Sequence, residues 1–327
     1  MIVGVKESMH PVYSVIVPCF NEQECLRETH NRLGAVMRGM KEPYEILYVN
    51  DGSGDKTPDI LNTLAREDSH VRVLHFAGNF GHQIAVSAGL DYAAGDAMVI
   101  IDADLQDPPE VIPLMAEKWR AGAQVVYGKR RSRKGETRFK EFTAKVYYRV
   151  LKRLAGKGFP EDSGDFRLVD RRVADVVRKM PEHARYLRGM FAWAGFKQEA
   201  LLYDRDRRFA GKTHYSLKKM LRLAANGVVS FSDKPLVWSL WLGALWLIVG
   251  TAFLIALLLS AALGGGASGL AVPVLICMAA GSLHITLGIL GAYLARVYEE
   301  ARGRPLYIVA DTKGFEVRTE PAMRQKA

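Results

Sequence analysis

The run Asp102-Ala103-Asp104-Leu105-Gln106 sets two carboxylates and an amide oxygen at alternate positions of the chain. At the end of an extended strand, side chains two apart fall on one side, so Asp102, Asp104 and Gln106 would face the same way. Two carboxylates that close repel each other unless a cation lies beside them. An all-oxygen donor set suits a hard ion, Mg²⁺ or Mn²⁺. Such an ion could bridge to a diphosphate and stabilise charge on a departing nucleotide. A lone Asp-x-Asp arises often by chance, and a surface turn with Asp107 capping the next helix is its simpler account. Three more polar clusters stand upstream: Pro18-Cys19-Phe20-Asn21-Glu22, Asp51-Gly52-Ser53-Gly54-Asp55 and Asn79-Phe80-Gly81-His82.

These clusters acquire meaning from the elements before them. Residues 13–17, 45–50, 71–75, 97–101 and 124–127 are rich in Val and Ile, are bounded by polar or glycine turns, and read as strands. Residues 22–40, 56–66, 83–94 and 109–121 read as helices, with Pro58 and Pro109 near helix starts, where a missing N–H costs little. Strand–helix alternation predicts an α/β domain with a mostly parallel sheet, whose ligands bind at the carboxyl ends of the strands. The four clusters follow strands one to four, so all four fall at that edge. Together they predict a site where each alone predicts only a turn.

Charge divides the chain. Residues 115–235 hold 30 of the 45 Lys and Arg but only 13 of the 35 Asp and Glu. The densest part, 129–153, reads as helical from Phe139 and interleaves aromatic residues with its basic ones. A solvated helix face would account for it. An anionic membrane surface or a phosphorylated ligand accounts for it better, because an uncharged block follows. From Pro235 to Ala295 there is no Asp, Glu, Lys or Arg. Within that block, 236–263 and 271–295 each exceed the roughly 20 apolar residues a membrane-spanning helix needs, and six residues from Gly264 to Gly269 make a hairpin turn between them. Lys218, Lys219, Arg222 and Lys234 precede the pair and Arg296, Arg302 and Arg304 follow it, whereas the turn has no basic residue. The positive-inside rule then places the domain and the C-terminus in the cytoplasm. His284, inside the second span, reads as a polar contact within the bundle. Nucleic acid, the rival partner for a basic chain, is not expected. Cys19, Cys25 and Cys277 are too few and too scattered for a disulfide framework or a zinc site, and no secretory leader opens the sequence.

Val-Pro-Cys-Phe-Asn-Glu, Asn-Asp-Gly-Ser and Asp-Ala-Asp-Leu-Gln-Asp-Pro-Pro-Glu, in that order and spacing, resemble the family 2 glycosyltransferases of the GT-A fold. The nearest likeness is to the polyprenyl-phosphate group, the bactoprenol glucosyltransferases and dolichol-phosphate mannose synthases, and it runs from about Val15 to Arg304. The resemblance implies a nucleotide-sugar site that includes Pro18, Asn21, Glu22, Asp51, Ser53, Asn79, Gly81, Asp102 and Ala103. Asp51 would help bind the base, and Asn50 stands where the family has a further Asp. Asp104 and Gln106 would hold the metal, with Asp102 on nucleotide or metal. Ser163-Gly164-Asp165-Phe166-Arg167-Leu168 matches a segment whose Asp lies beside metal and acceptor, so Asp165 is a candidate metal ligand or general base. Tyr186-Leu187-Arg188-Gly189 matches a later segment. Arg208-Phe209-Ala210-Gly211-Lys212-Thr213-His214-Tyr215 matches another, which commonly reads Gly-Glu-Ser-Lys-Tyr with its Lys near the diphosphate. His214 stands in that place and Lys212 two residues earlier, either of which could meet a phosphate, and Arg208 joins the nucleotide-sugar site. Arg130, Arg131, Arg133 and Arg138 are candidates for holding the acceptor phosphate, since guanidinium matches phosphate geometry, and Arg130 and Arg138 are the two favoured.

The expected architecture is a GT-A catalytic domain over 1–212, an amphipathic juxtamembrane segment over 213–235, a transmembrane hairpin over 236–295 and a cytoplasmic tail over 296–327. The expected reaction is inverting, metal-dependent transfer of one sugar from a nucleotide-sugar, with UDP-glucose the leading donor, to undecaprenyl or another polyprenyl phosphate at the inner (plasma) membrane. Assembly is left open, a homo-oligomer included. A processive polysaccharide synthase is the rival enzyme, but its Gln-x-x-Arg-Trp motif is absent and two spans make a small channel. A non-catalytic membrane scaffold is the rival outside catalysis, and the retained Asp102, Asp104, Gln106 and Asp165 argue against it.

Overall fold

The computed structural model describes residues 10–131, 163–205, 234–263 and 271–315. Among these, 10–131, 163–205 and 305–315 belong to one compact unit and 234–263 with 271–304 to another.

The first unit is built on an eight-stranded sheet. Its strands are β1 (Tyr13–Cys19), β2 (Tyr44–Asn50), β3 (Val71–Phe76), β4 (Ala97–Ile100), β5 (Val125–Arg130), β6 (Ser163–Asp170), β7 (Gln198–Tyr203) and β8 (Val309–Lys313), in spatial order 7-5-6-4-1-2-3-8. β1 lies between β2 and β4, parallel to both, and β2 is parallel to β3. β6 runs antiparallel between β4 and β5, and β8 runs antiparallel along β3. Every residue of β1 and β2 is buried, which is why those strands read as continuous rather than alternating apolar runs. Pro18 falls where the ladder to β4 has already ended at Ile16–Ile100, so its missing N–H leaves no gap in the pairing.

Helices α1 (Leu26–Gly39), α2 (Thr57–Glu67), α3 (His82–Tyr92), α4 (Ile112–Arg120), α5 (Arg171–Lys179) and α6 (Leu187–Trp193) flank the sheet. Leu26, Leu33 and Met37 of α1, Leu61 and Leu64 of α2, and Ile112 and Met115 of α4 share one core with Val15, Val17, Ile46, Tyr48, Val73 and Val99. Burying one such Val, Leu, Ile or Met side chain stabilises the fold by about 1.5–3 kcal/mol. The predicted start of α1 at Glu22 is four residues early. Asn21 adopts a left-handed φ of 57°, and the N–H groups of Asn21, Glu22 and Gln23 bond to side chains of the loop after β2 and the first residue of α2 instead of opening a helix.

The second unit holds α7 (Lys234–Ala262) and α8 (Ala271–Ala301), both long and apolar enough to cross a membrane. Trp241, Ile248, Leu258 and Leu294 are among the large apolar side chains they expose. α8 runs past the apolar limit at Ala295, because Arg296, Glu299 and Glu300 end a membrane-compatible run without ending a helix. The stretch read as a tail over 296–327 thus contains the last turns of α8 and a strand of the sheet. The stretches expected to form a juxtamembrane segment and a hairpin turn lie, over 213–233 and 264–270, outside the described residues, as does the basic stretch expected to be helical from Phe139.

Candidate active site

The loops after β1 and β2 are cross-braced. Asn21 N–H donates to Ser53 Oγ (3.0 Å), Gly54 N–H to Asn21 Oδ1 (2.9 Å) and Glu22 N–H to Thr57 Oγ1 (2.9 Å). Gly52, at φ 67°, packs so closely on the loop after β3 that a Cβ there would lie 2.5 Å from the Gly78 carbonyl carbon. Asp51 secures that third loop. Its Oδ1 accepts from Phe80 N–H (2.7 Å) and its Oδ2 from Gly81 N–H (2.9 Å), while the Asn79 amide donates to its carbonyl (3.1 Å). Burial pushes the Asp51 carboxyl up, against those two N–H bonds. Both its oxygens are spent on the backbone, so its first role in the fold is to shape the Asn79–Gly81 loop.

Asn50 has a role of its own. Its Oδ1 accepts from Ser53 N–H (3.1 Å), which turns its amide nitrogen toward His75 Nδ1 (3.1 Å). His75 Nε2–H is then left to donate to Asn62 Oδ1 (3.1 Å), the arrangement of a neutral ring. Burial holds the His75 pKa below its ordinary value, despite Asp311 nearby. A carboxylate at position 50 would face the unprotonated Nδ1.

The acidic run departs from the strand geometry expected of it. β4 ends at Ile100, and Asp102–Asp107 form a chain of turns in which Leu105 takes a left-handed φ of 58°. Alternation therefore stops before the first Asp. Asp102 is partly exposed and Asp104 buried, and Asp104 Oδ1 accepts from the Gln106 backbone N–H (3.1 Å). His82, the first residue of α3, sets Nε2 3.7 Å from Asp102 Oδ1 and 3.6 Å from Asp165 Oδ2. Burial lowers the His82 pKa, but Asp102 and Asp165 outweigh it and raise it to about 9. Burial raises the Asp102 carboxyl, His82 draws it down, and Asp165, Asp107 and Asp104 add to the rise, which ends at about 6.

Asp165, on β6, accepts a two-pronged bond from Arg188, Nε at 2.8 Å and Nη2 at 3.0 Å. Burial opposes its charge, yet Arg188 and His82 hold the carboxyl well below the usual range. So paired, Asp165 is a poor proton acceptor. Arg167, fully buried, donates to the carbonyls of Gly164 (2.8 Å) and Asp165 (3.3 Å) and sits 4.9 Å from the Phe191 ring, which fixes the backbone beneath Asp165. Gln83 Oε1 accepts from Leu187 N–H (3.0 Å), tying the start of α6 to the start of α3. At the far side of the acidic turn, Tyr203 Oη donates to Asp107 Oδ1, and Arg205 Nε lies 3.5 Å from the same oxygen. Arg130 is near enough to favour the Asp107 carboxylate, and its buried Nε has no hydrogen-bond partner among the described residues.

The structure thus gathers Asn21, Ser53, Asp51, Asn79 and Gly81 along one edge and brings Asp102, Asp104 and Asp165 to the same edge. Pro18, Glu22 and Ala103 lie in or beside those turns. Arg138, Arg208, Lys212 and His214 lie outside the described residues. Sequence spacing assigns no role to His82, Arg188 or Tyr203. His82 closes the cluster after β3 and Arg188 sits in Tyr-Leu-Arg-Gly; only their contacts reveal their part.

Among the described residues, no three His, Cys, Asp or Glu side chains group to hold a metal by themselves. The donors fit a cation held by one or two carboxylates, its other positions left to phosphate oxygens and water, a common arrangement for Mg²⁺. Burial is the largest cause of the raised Asp102 carboxyl, with Asp165, Asp107 and Asp104 adding to it, and a cation held there would favour its charged form. Asp165, occupied by Arg188, fits as a ligand less well than Asp102 and Asp104.

Residues 14–178 match the family described as glycosyl transferase family 2. The chain belongs to that family. This glycosyltransferase is 46% identical over 94% of its length, and 96% of the relative's, to "Uncharacterized glycosyltransferase YkcC" of Bacillus subtilis. It is 37% identical over 92% of its length to the "Prophage bactoprenol glucosyl transferase homolog" of Escherichia coli, covering 99% of that protein, and to the "Bactoprenol glucosyl transferase" of Shigella phage SfV, covering 98%. Among solved structures, glucosyl-3-phosphoglycerate synthase from Mycobacterium tuberculosis, in complex with Mn²⁺, UDP-glucose and phosphoglyceric acid, aligns with 68% of the glycosyltransferase and 78% of its own chain at 17% identity and a TM-score of 0.47. The mixed, mostly parallel sheet of the glycosyltransferase is the GT-A arrangement its motifs predict.

Proposed function

We propose that this glycosyltransferase moves a single glucose from UDP-glucose to undecaprenyl phosphate on the cytoplasmic face of the plasma membrane. The observation that carries the reading is one chain uniting the acidic turn and the Asp51-held loop with two helices of membrane-spanning length. Relatives named for bactoprenol glucosyl transfer, alike over nearly the whole chain, support the lipid acceptor and the glucose donor.

Asp102 and Asp104, with Gln106 beside them, would hold Mg²⁺ or Mn²⁺, which when bound supplies charge stabilisation to the departing diphosphate. Asn21, Ser53 and the Asn79–Gly81 loop form the floor on which the nucleotide lies. An acceptor phosphate oxygen attacks the anomeric carbon as the bond to UDP breaks, with inversion. A phosphate monoester is already largely ionised at pH 7, so no side chain has to remove a proton, which agrees with Asp165 being locked to Arg188. Arg130, whose guanidinium also serves Tyr203 and Asp107, would meet the acceptor phosphate.

The test is purified full-length protein in detergent with UDP-glucose, undecaprenyl phosphate and Mg²⁺. Lipid-linked glucose and UDP should form in equal amounts, and Asp104→Ala should abolish both while the protein still folds. Full activity in excess chelator would sink the metal assignment, and a polymeric product would favour a synthase.

A further inference from the structure

The chain that follows α8 returns to the sheet and grips the loop held by Asp51. β8 pairs with β3 through Val73–Lys313, Leu74–Thr312 and His75–Asp311, and a bulge then shifts the register to Phe76–Val309. Ala77 N–H donates to the Ile308 carbonyl (2.9 Å), extending the pairing toward the loop. At the other end Gly314, φ 75°, passes so close to β3 that a Cβ would lie 2.2 Å from the Val71 oxygen. Tyr307, just before β8, makes two contacts. Its ring stacks on Phe76 (5.1 Å, 14° between planes), and Phe76 meets Phe80 edge-on (5.6 Å, 90°). Its hydroxyl donates to Asp91 Oδ2 (2.9 Å) in the last turn of α3. Phe80 is the residue whose N–H Asp51 holds, and α3 begins two residues later with His82. Tyr307 therefore braces both ends of the segment 80–92.

We propose that Tyr307 is a positioning residue for the donor loop: the strand returning from the second apolar helix holds Asn79–His82 in its ligand-ready place before the nucleotide arrives. The inference rests on the reading of that loop as part of the nucleotide-sugar site. A loop ordered in advance spares the ligand the cost of ordering it, so removing the brace appears as lost donor affinity rather than lost chemistry.

The test uses full-length protein in detergent, with Tyr307→Ala and Tyr307→Phe. One stacked aromatic pair and one hydrogen bond together correspond to about a tenfold effect. Tyr307→Ala should raise the KM for UDP-glucose about tenfold, with kcat and the acceptor KM within about twofold of wild type. Tyr307→Phe, which keeps the stack, should raise it about threefold. Hydrogen–deuterium exchange supplies a readout independent of turnover. Peptides covering 77–82 and 88–92 should exchange faster in Tyr307→Ala, with β1, β4 and β6 unchanged. Unaltered exchange at 77–82 would overturn the proposal, as would faster exchange across the whole catalytic unit. If Tyr307→Ala does not fold, Tyr307→Phe decides by the same two measurements. A wild-type protein that fails to use UDP-glucose would overturn the donor-site reading instead, and the exchange comparison would still decide the brace.

Discussion

Replacing Arg188 by methionine removes a guanidinium bonded through two nitrogens to Asp165, at 2.8 and 3.0 Å, and leaves a similar apolar stem. Breaking a fully buried ion pair by deleting one partner costs about 3–5 kcal/mol, because the other charge stays behind without compensation. Here the side chains are 27% and 19% exposed, and His82 remains 3.6 Å from Asp165. Solvent and imidazolium each soften the loss, so we expect about 2–3 kcal/mol. For a domain of this size that corresponds to a fall in Tm of about 5–10 °C, measurable by thermal unfolding in detergent. A double-mutant cycle with Asp165→Asn isolates the pair, and the double variant should be more stable than the sum of the singles predicts by about 1.5 kcal/mol or more. Because Asp165 titrates well below its unfolded value, the stabilisation is complete above about pH 4 and is lost as pH falls through the depressed value. Singles that add within about 0.5 kcal/mol at pH 7 would refute the pair as a structural clamp.

Other consequences are as direct. Asn50→Asp sets a carboxylate against His75 Nδ1, so the His75 pKa, held low by burial in the wild type, should rise by at least about one unit in an NMR titration. Wild-type stability should accordingly decline as pH falls below about 6.5, where the unfolded histidine takes up its proton first, and the variant should lose or reverse that slope. Gly52→Ala would press a methyl group on the Gly78–Asn79 backbone at φ 67°; we expect a loss of about 2 kcal/mol or more by chemical denaturation, with weakened UDP binding. A single cysteine placed between Gly264 and Gly269 in an otherwise cysteine-free chain should react with a membrane-impermeant maleimide from the outer face of intact membranes. Labelling only after the cytoplasmic side is opened would reverse the proposed topology.

Much of the fold was legible in the chain itself. β1 to β5 and the helices between them announce themselves because strands that are wholly or largely buried are dominated by apolar residues, whereas helices need only one apolar stripe. The two apolar helices are equally plain, since no charge interrupts 60 residues after Pro235. β6, β7 and β8 were not read as strands. Ser-Gly-Asp-Phe-Arg-Leu-Val-Asp carries a buried Arg167, and Val-Ala-Asp-Thr-Lys is a mostly exposed edge; neither has a pattern that declares its partner.

By residue type and spacing, the sequence determined the polar turns at the carboxyl ends of consecutive strands, and with them the location of the site. Only the tertiary structure decided what each side chain does there. Asp51 binds backbone N–H groups 29 and 30 residues away, Asp165 is claimed by Arg188, and Asp102 and Asp104 lie beyond the end of the strand whose alternation would align them. Strand periodicity is local and survives in one dimension. Ion pairs and hydrogen bonds depend on which loops the sheet order brings together, and that order is set by packing the whole domain.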